Sequence, residues 1–206
     1  PAAPGVGTWV YLTQSSGRIL HIQGDPADYA SPVPNGYGNV IDIPDGACVT
    51  NAVSSWDDPV GGTRHACIGW RLDLTAGGSV TSAVTTQAVF VVTNDMTLTW
   101  LWTNEYSLGV LDTGSGGTAT TSSNDWYAHG RMVAGLEATA DPGWVFSGWS
   151  GDVPLADRAN NPLAVTMTQP RTIMAAFYSV ISGTNRLWSG AGDWSGGSGS
   201  SVRSST

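Results

Sequence analysis

Five groups of residues in this chain have types and spacings that chemistry could use. Gly148-Trp149-Ser150-Gly151-Asp152 has the outline of a nucleophile elbow, with a serine near glycines and an acid close behind. A hydrolase built there needs the serine on a strained turn, an imidazole to take its proton and a carboxylate to orient that imidazole. The second glycine stands one place too early, and His21, His65 and His129 show no grouping with Ser150. Asp125-x-Tyr127-x-His129 would share one face of a strand, but lone pairs of this kind are usually solvated or capping. Cys48 and Cys67 would supply two zinc ligands at most. Asp57-Asp58 and Asp25-x-x-Asp28 could contribute to a calcium site, without the loop pattern such sites carry. Glu105 and Glu137 are the only glutamates, and nothing singles out a carboxylate pair for glycoside hydrolysis. We read no catalytic residue, no cofactor and no metal here, and expect a protein that is not an enzyme.

The aromatic residues carry more information. The 206-residue chain holds 10 Trp, and Trp9, Trp56, Trp126, Tyr127, Trp188 and Trp194 lie outside the repeated core described below. Indole faces stack on sugar rings, and they also fill contacts between subunits. Both readings stay open, with surface glycans as a candidate partner. Trp9, Tyr11, Trp188 and Trp194 are the candidate subunit contacts.

The elements that must position these residues are strands. No window keeps apolar residues at helical spacing, and Gly or Pro interrupts almost every stretch of a dozen residues. Residues 8–13, 89–92, 97–102, 106–111, 144–149, 163–167 and 172–178 are rich in β-branched and aromatic residues and predict strands. Residues 132–138 have the Ala and Leu of a helix, but the turn Asp141-Pro142-Gly143 and the analogous first-repeat segment predict a strand. Pro34-Asn35-Gly36, Pro44-Asp45-Gly46, Gly61-Gly62, Gly77-Gly78 and Asn160-Asn161-Pro162 are turn signals between these runs.

One pattern occurs twice, and internal repetition reports architecture more reliably than a local motif. Cys67-Ile68-Gly69-Trp70 precedes Asp95-Met96-Thr97-Leu98-Thr99-Trp100-Leu101-Trp102. Phe146-Ser147-Gly148-Trp149 precedes Pro170-Arg171-Thr172-Ile173-Met174-Ala175-Ala176-Phe177. Each copy is a Gly-Trp element, a variable loop and a closing strand that ends on an aromatic. Trp70, Trp102, Trp149 and Phe177 are therefore the expected repeat core, since large aromatics dominate the stability of a small module. The fold class is all-β, with two tandem β-rich modules. We divide the chain into an N-terminal strand (1–16), a first module (17–103), a second module (104–180) and a Gly/Ser-rich tail (181–206).

The second copy resembles the divergent internalin-type B repeats of bacterial proteins. The resemblance rests on Gly143-Trp144-Val145-Phe146-Ser147-Gly148-Trp149-Ser150-Gly151-Asp152, then Asn161-Pro162-Leu163-Ala164-Val165-Thr166-Met167, then Arg171-Thr172-Ile173-Met174-Ala175-Ala176-Phe177. The first copy looks like a diverged version that lacks the Trp-Ser-Gly-Asp continuation. The resemblance implies small β-modules of large secreted or surface-anchored proteins, used as stalks, spacers or adhesive segments. It implies no catalytic residues.

Composition agrees with export. Charged residues make up 12% and all eight basic residues are Arg, so no Lys-based isopeptide staple can form. A formal charge of −8 repels phosphate backbones and argues against nucleic acid. No apolar run is long enough for a transmembrane helix. A start at Pro1 without Met fits signal-peptide removal, and fits an excised fragment equally. In that setting we expect a Cys48–Cys67 disulfide between adjacent strands, worth about 3 kcal/mol. Residues 8–13 could add to a neighbour's sheet edge, and an ordered Ser/Gly tail would have to be held by its own modules or by a neighbouring chain. The expected function is thus a self-assembling fibre subunit or a surface stalk; the alternative is a carbohydrate-binding or adhesive module.

Overall fold

The computed structural model describes residues 17–120 and 125–180. The strand expected at residues 8–13, the tail 181–206 and the candidate contacts Trp9, Tyr11, Trp188 and Trp194 all lie outside them.

Seven strands run through the first part of the chain: β1 (Arg18–Asp25), β2 (Gly38–Ile43), β3 (Ala47–Ala52), β4 (Thr63–Leu74), β5 (Ser79–Ala83), β6 (Gln87–Val92) and β7 (Met96–Asp112). Seven more follow: β8 (Gly117–Ala119), β9 (Asp125–Ala128), β10 (Met132–Leu136), β11 (Ala138–Ala140), β12 (Trp144–Gly151), β13 (Leu163–Thr166) and β14 (Arg171–Ser179). Among the described residues there is no α-helix, only a 3-10 turn at Leu155–Asp157. The all-β class holds.

The two strands expected at 97–102 and 106–111 are one strand. β7 covers 17 residues, and the boundary placed at 103/104 falls inside it. At about 3.3 Å per residue this strand is roughly 55 Å long. Its first half lies between β1, which is parallel to it, and β4, which is antiparallel. Its second half lies between β9, antiparallel, and β14, parallel, and β14 in turn pairs with β12. Both β4 and β9 pair with Glu105 and Tyr106, so they occupy opposite edges of β7.

Side chains alternate faces along a strand, and β7 uses one face throughout. Met96, Leu98, Trp100, Trp102, Tyr106, Leu108 and Val110 are all buried; Asn104 alone in this series is only partly so. The first four join a cluster with Leu20, Ile22, Trp70 and Leu72, covered by Ala88, Phe90 and Val92 of the two-stranded β3–β6 sheet. The last three join a second cluster with Trp149, Ile173 and Ala175, covered by Leu136, Leu163 and Val165 of the β10–β13 sheet. Each core is a two-layer β-packing, and no residue belongs to both clusters.

The repeat is visible in the register. Gly69 faces Leu101 and Trp70 faces Trp100; Gly148 faces Ala176 and Trp149 faces Ala175. A bulge precedes each glycine, and the two φ angles are +137° and +136°. A Cβ on Gly69 would collide with the Ala83 carbonyl oxygen, and one on Gly148 would stand 3.0 Å from that of Arg158. Glycine is needed twice over, for the left-handed backbone and for the loop that passes against it. The chain that follows then satisfies the indole: Trp70 Nε1 donates to Gln87 O, at the start of β6, at 3.0 Å, and Trp149 Nε1 to Asn160 O at 2.8 Å.

Two expectations need correction. The stretch 132–138 is not one strand, because β10 ends at Leu136 and β11 starts at Ala138, each with a different partner. The Cys48–Cys67 disulfide is absent, and both residues are free thiols. The two cysteines do not sit on adjacent strands: β3 pairs with β6, whereas β4 pairs with β5 and β7. Cys48 points outward on β3, while Cys67 packs against the first core. Burial pushes the Cys67 thiol above its ordinary pKa, although its contact with the Gly69 carbonyl pulls the other way.

Thiol labelling checks this arrangement. The thiolate is the reactive form, so Cys48 should react quickly near pH 8 and Cys67 slowly, with the lag shrinking as pH rises. A mass two protons short, or no labelling before reduction, would restore the disulfide. Trp149→Ala tests the separation of the cores. Truncating a buried Trp costs about 3–5 kcal/mol, so amides of the second core should lose hydrogen-exchange protection while β1 and β4 keep theirs. Equal loss in both would mean a single cooperative unit.

Candidate functional site

The residues that resembled catalytic groups are engaged in structure. Ser150 donates to Met174 O at 3.3 Å, and the Asp152 carboxylate accepts the Thr172 amide at 2.8 Å, tying the β12 end to β14. The three histidines have separate partners: His21 meets Asn39 (2.8 Å), His65 meets Asp57 (2.6 Å) and His129 meets the Tyr106 hydroxyl (3.4 Å). Asp57 also accepts the His65 amide at 2.6 Å, and Asp28 accepts that of Gly24 at the same distance. Two of the four carboxylates considered for calcium, Asp57 and Asp28, are thus used locally. Two open concavities, beside Asn161-Pro162 and beside Asn94-Asp95, gather no group of reactive side chains.

What the fold does assemble lies at the seam between the cores. On the core side, the Asn104 side chain stands between Trp102 and Tyr106 and donates to the Tyr106 hydroxyl at 3.4 Å, while its backbone carbonyl accepts the His129 amide at 2.8 Å. Its cross-strand partner is His65. The His65 imidazole lies flat on Tyr29, with centroids 3.5 Å apart, and Tyr29 meets Trp102 edge-on. Tyr37 holds Tyr29 by donating to its carbonyl at 2.5 Å. Burial pushes the Tyr37 hydroxyl up to about 12, with Trp102 opposing and Asp28 and Cys67 adding to the rise.

On the opposite face of the sheet, Arg64 of β4 lies over two indoles. Its guanidinium carbon is 4.6 Å from the centroid of Trp56 and 4.6 Å from that of Trp126. Its Nε donates to Glu105 of β7 at 2.7 Å. Register explains the meeting: Arg64 is opposite Glu105, Trp126 of β9 is opposite Ser107, and Trp56 bridges to Ala66. All of these positions share the solvent side of β4, β7 and β9. Arginine suits the place because its flat, weakly hydrated guanidinium stacks on aromatic faces while keeping a hydrogen bond in its own plane.

Sequence reading singled out Trp56 and Trp126 as non-core aromatics but gave Arg64 no role. It also missed Trp100, which is fully buried and donates to Asn51 Oδ1 at 3.2 Å across the first core. No local signal links these residues, since the partners come from strands far apart in the chain. Trp70, Trp102 and Trp149 are buried, whereas Phe177 is half-buried and packs with Phe146 at the edge of the second core.

The molecule this geometry defines is a tandem β-repeat, whose copies share a strand and carry their contacts on side chains of the sheet. A family model described as the divergent InlB B-repeat domain matches residues 109–181, a span that begins inside β7 and takes in the second core apart from Tyr106 and Leu108. The match points to a repeat module of bacterial surface proteins and to an extracellular or cell-surface setting. No curated protein and no solved structure matches the chain significantly.

The Arg64 clamp joins β4 and the Trp56 loop to β9 of the second module. Arg64→Ala should destabilise the chain by about 2 kcal/mol, from one charge-assisted hydrogen bond and two half-exposed cation–π contacts. Arg64→Lys should recover less than half of this, because an ammonium cannot keep both stacks and the in-plane bond. Urea unfolding of the two variants measures it, and full recovery by Lys would reduce the clamp to simple charge pairing.

Proposed function

We propose that this chain is a structural segment of an extracellular bacterial surface protein, a stalk built from tandem β-modules, without catalytic activity. One observation carries the reading: a single strand, β7, serves as the last strand of the first core and the first strand of the second. Modules joined by a flexible linker reorient freely. A shared strand in hydrogen-bonded register with four neighbours cannot bend at the seam without breaking its ladders, and the Arg64 clamp adds a side-chain tie on the outer face. Stiffness of this kind suits a spacer that holds something away from a surface. The family match at residues 109–181 supports the same setting, and repeats of this type are typical of non-enzymatic surface proteins.

Self-assembly into a fibre has weaker support, because residues 8–13 and the tail, on which it rests, lie outside the described part of the chain.

Small-angle scattering on the full chain tests the stalk. Residues 17–180 should scatter as one rigid body. Inserting Gly-Gly-Ser-Gly between Thr103 and Asn104 should spread the distribution of intramolecular distances and leave both cores folded by circular dichroism. If the uninserted chain already scatters as two independently moving bodies, the stalk reading fails.

A further inference from the structure

The clamp explains the inner faces of both indoles, but it does not explain Trp56. This residue is 51% exposed on the open face of the sheet. A side chain whose task was only to cover Arg64 could be smaller and less costly to leave in water.

We propose that Trp56, Arg64, Trp126 and Glu105 form a saccharide-binding platform for neutral glycans built of pyranose rings. An exposed indole offers a flat apolar surface with a negative face. The C–H bonds on one side of a pyranose ring carry slight positive charge and lie against such a face. Beside it stand a donor and an acceptor. Arg64 uses Nε on Glu105, and among the described residues its two terminal nitrogens have no hydrogen-bond partner, which leaves N–H donors for hydroxyl oxygens. Glu105 engages Arg64 through Oε2, which leaves Oε1 to accept from a hydroxyl. Arg64 and Glu105 keep 16% and 19% of their side-chain surface exposed, so neither is sealed from a ligand.

A donor and an acceptor fixed side by side match the paired hydroxyls of a sugar, each of which both donates and accepts. The ion pair also cancels its own charge, and the chain as a whole carries −8. That balance disfavours polyanionic glycans, whose approach the field of the protein opposes. The platform lies on an open sheet face and not in a cavity, so it suits a polymer lying across it and weak, surface-type binding. The inference goes beyond the stalk reading and does not depend on it: a stalk that binds no sugar remains a stalk.

Affinity electrophoresis of the full chain tests the platform. The gels would contain laminarin or xyloglucan as neutral probes, with polygalacturonate as the acidic comparison. At least one neutral probe should retard the chain, Trp56→Ala should lower the affinity at least tenfold, and Trp56→Tyr should restore most of it. Circular dichroism establishes that each variant is folded. If Trp56→Ala does not fold, Arg64→Lys must weaken retardation at least threefold, since it removes the fork and keeps the charge. Three outcomes overturn the proposal: no retardation by either neutral polymer, retardation by polygalacturonate alone, or retardation unchanged by these substitutions.

Discussion

Successive side chains on a β-strand point to opposite faces, and β7 keeps the same phase from Met96 to Val110. Both cores depend on that constraint. A one-residue slip or bulge at the seam would turn the second core to the other side of the sheet. The β10–β13 pair would then cover the wrong face. Asn104 shows how the chain changes core without changing phase. It occupies an inward position, but its polarity ends the first apolar run, and Tyr106 begins the second two residues later. The Asn104 backbone carbonyl accepts the His129 amide, and its side-chain amide donates to the Tyr106 hydroxyl at 3.4 Å.

The two modules solve one packing problem with different side chains. Both use a bulge, a left-handed glycine and a tryptophan whose indole N–H reaches a carbonyl further along the chain. Opposite that tryptophan the first module places Trp100, and the second places Ala175. A second indole needs a partner for its own N–H when buried, and Asn51 supplies it while donating to Asn35 O at 2.8 Å. The second module avoids that requirement and fills its volume with Phe146 and Phe177 near Trp149, in edge-to-face contact. The two modules therefore set different aromatic arrangements on the same bulge and Gly-Trp register.

The seam is also where the two faces of the sheet have different duties. Inward, a polar and aromatic group bridges the cores. Outward, the cation and its two indoles tie strands of both modules together and leave an aromatic surface at the solvent boundary. The clamp itself comes from this register, because Arg64, Glu105 and Trp126 reach one face only when β4 and β9 flank β7 together. A buried disulfide is not needed for this, and none is formed by Cys48 and Cys67.

The sequence by itself determined the all-β class, the repeated Gly-Trp element and most strands rich in β-branched and aromatic residues. These are local properties: alternation, turn chemistry and the need for glycine beside a bulge are written in adjacent residues. β1 escaped notice because its buried positions, Leu20 and Ile22, are too few to show alternation, and β5 because Ser79–Ala83 has almost nothing apolar. Only the tertiary structure decided that residues 97–102 and 106–111 are one strand, since the intervening polar residues read as a break until their hydrogen-bond partners are known. It likewise decided that Cys48 and Cys67 face apart, and that Trp56, Arg64, Glu105 and Trp126 meet. Such pairings depend on which strands become neighbours and in what register. Those choices are made by the long-range burial of two cores against one strand, and no short stretch of the chain contains them.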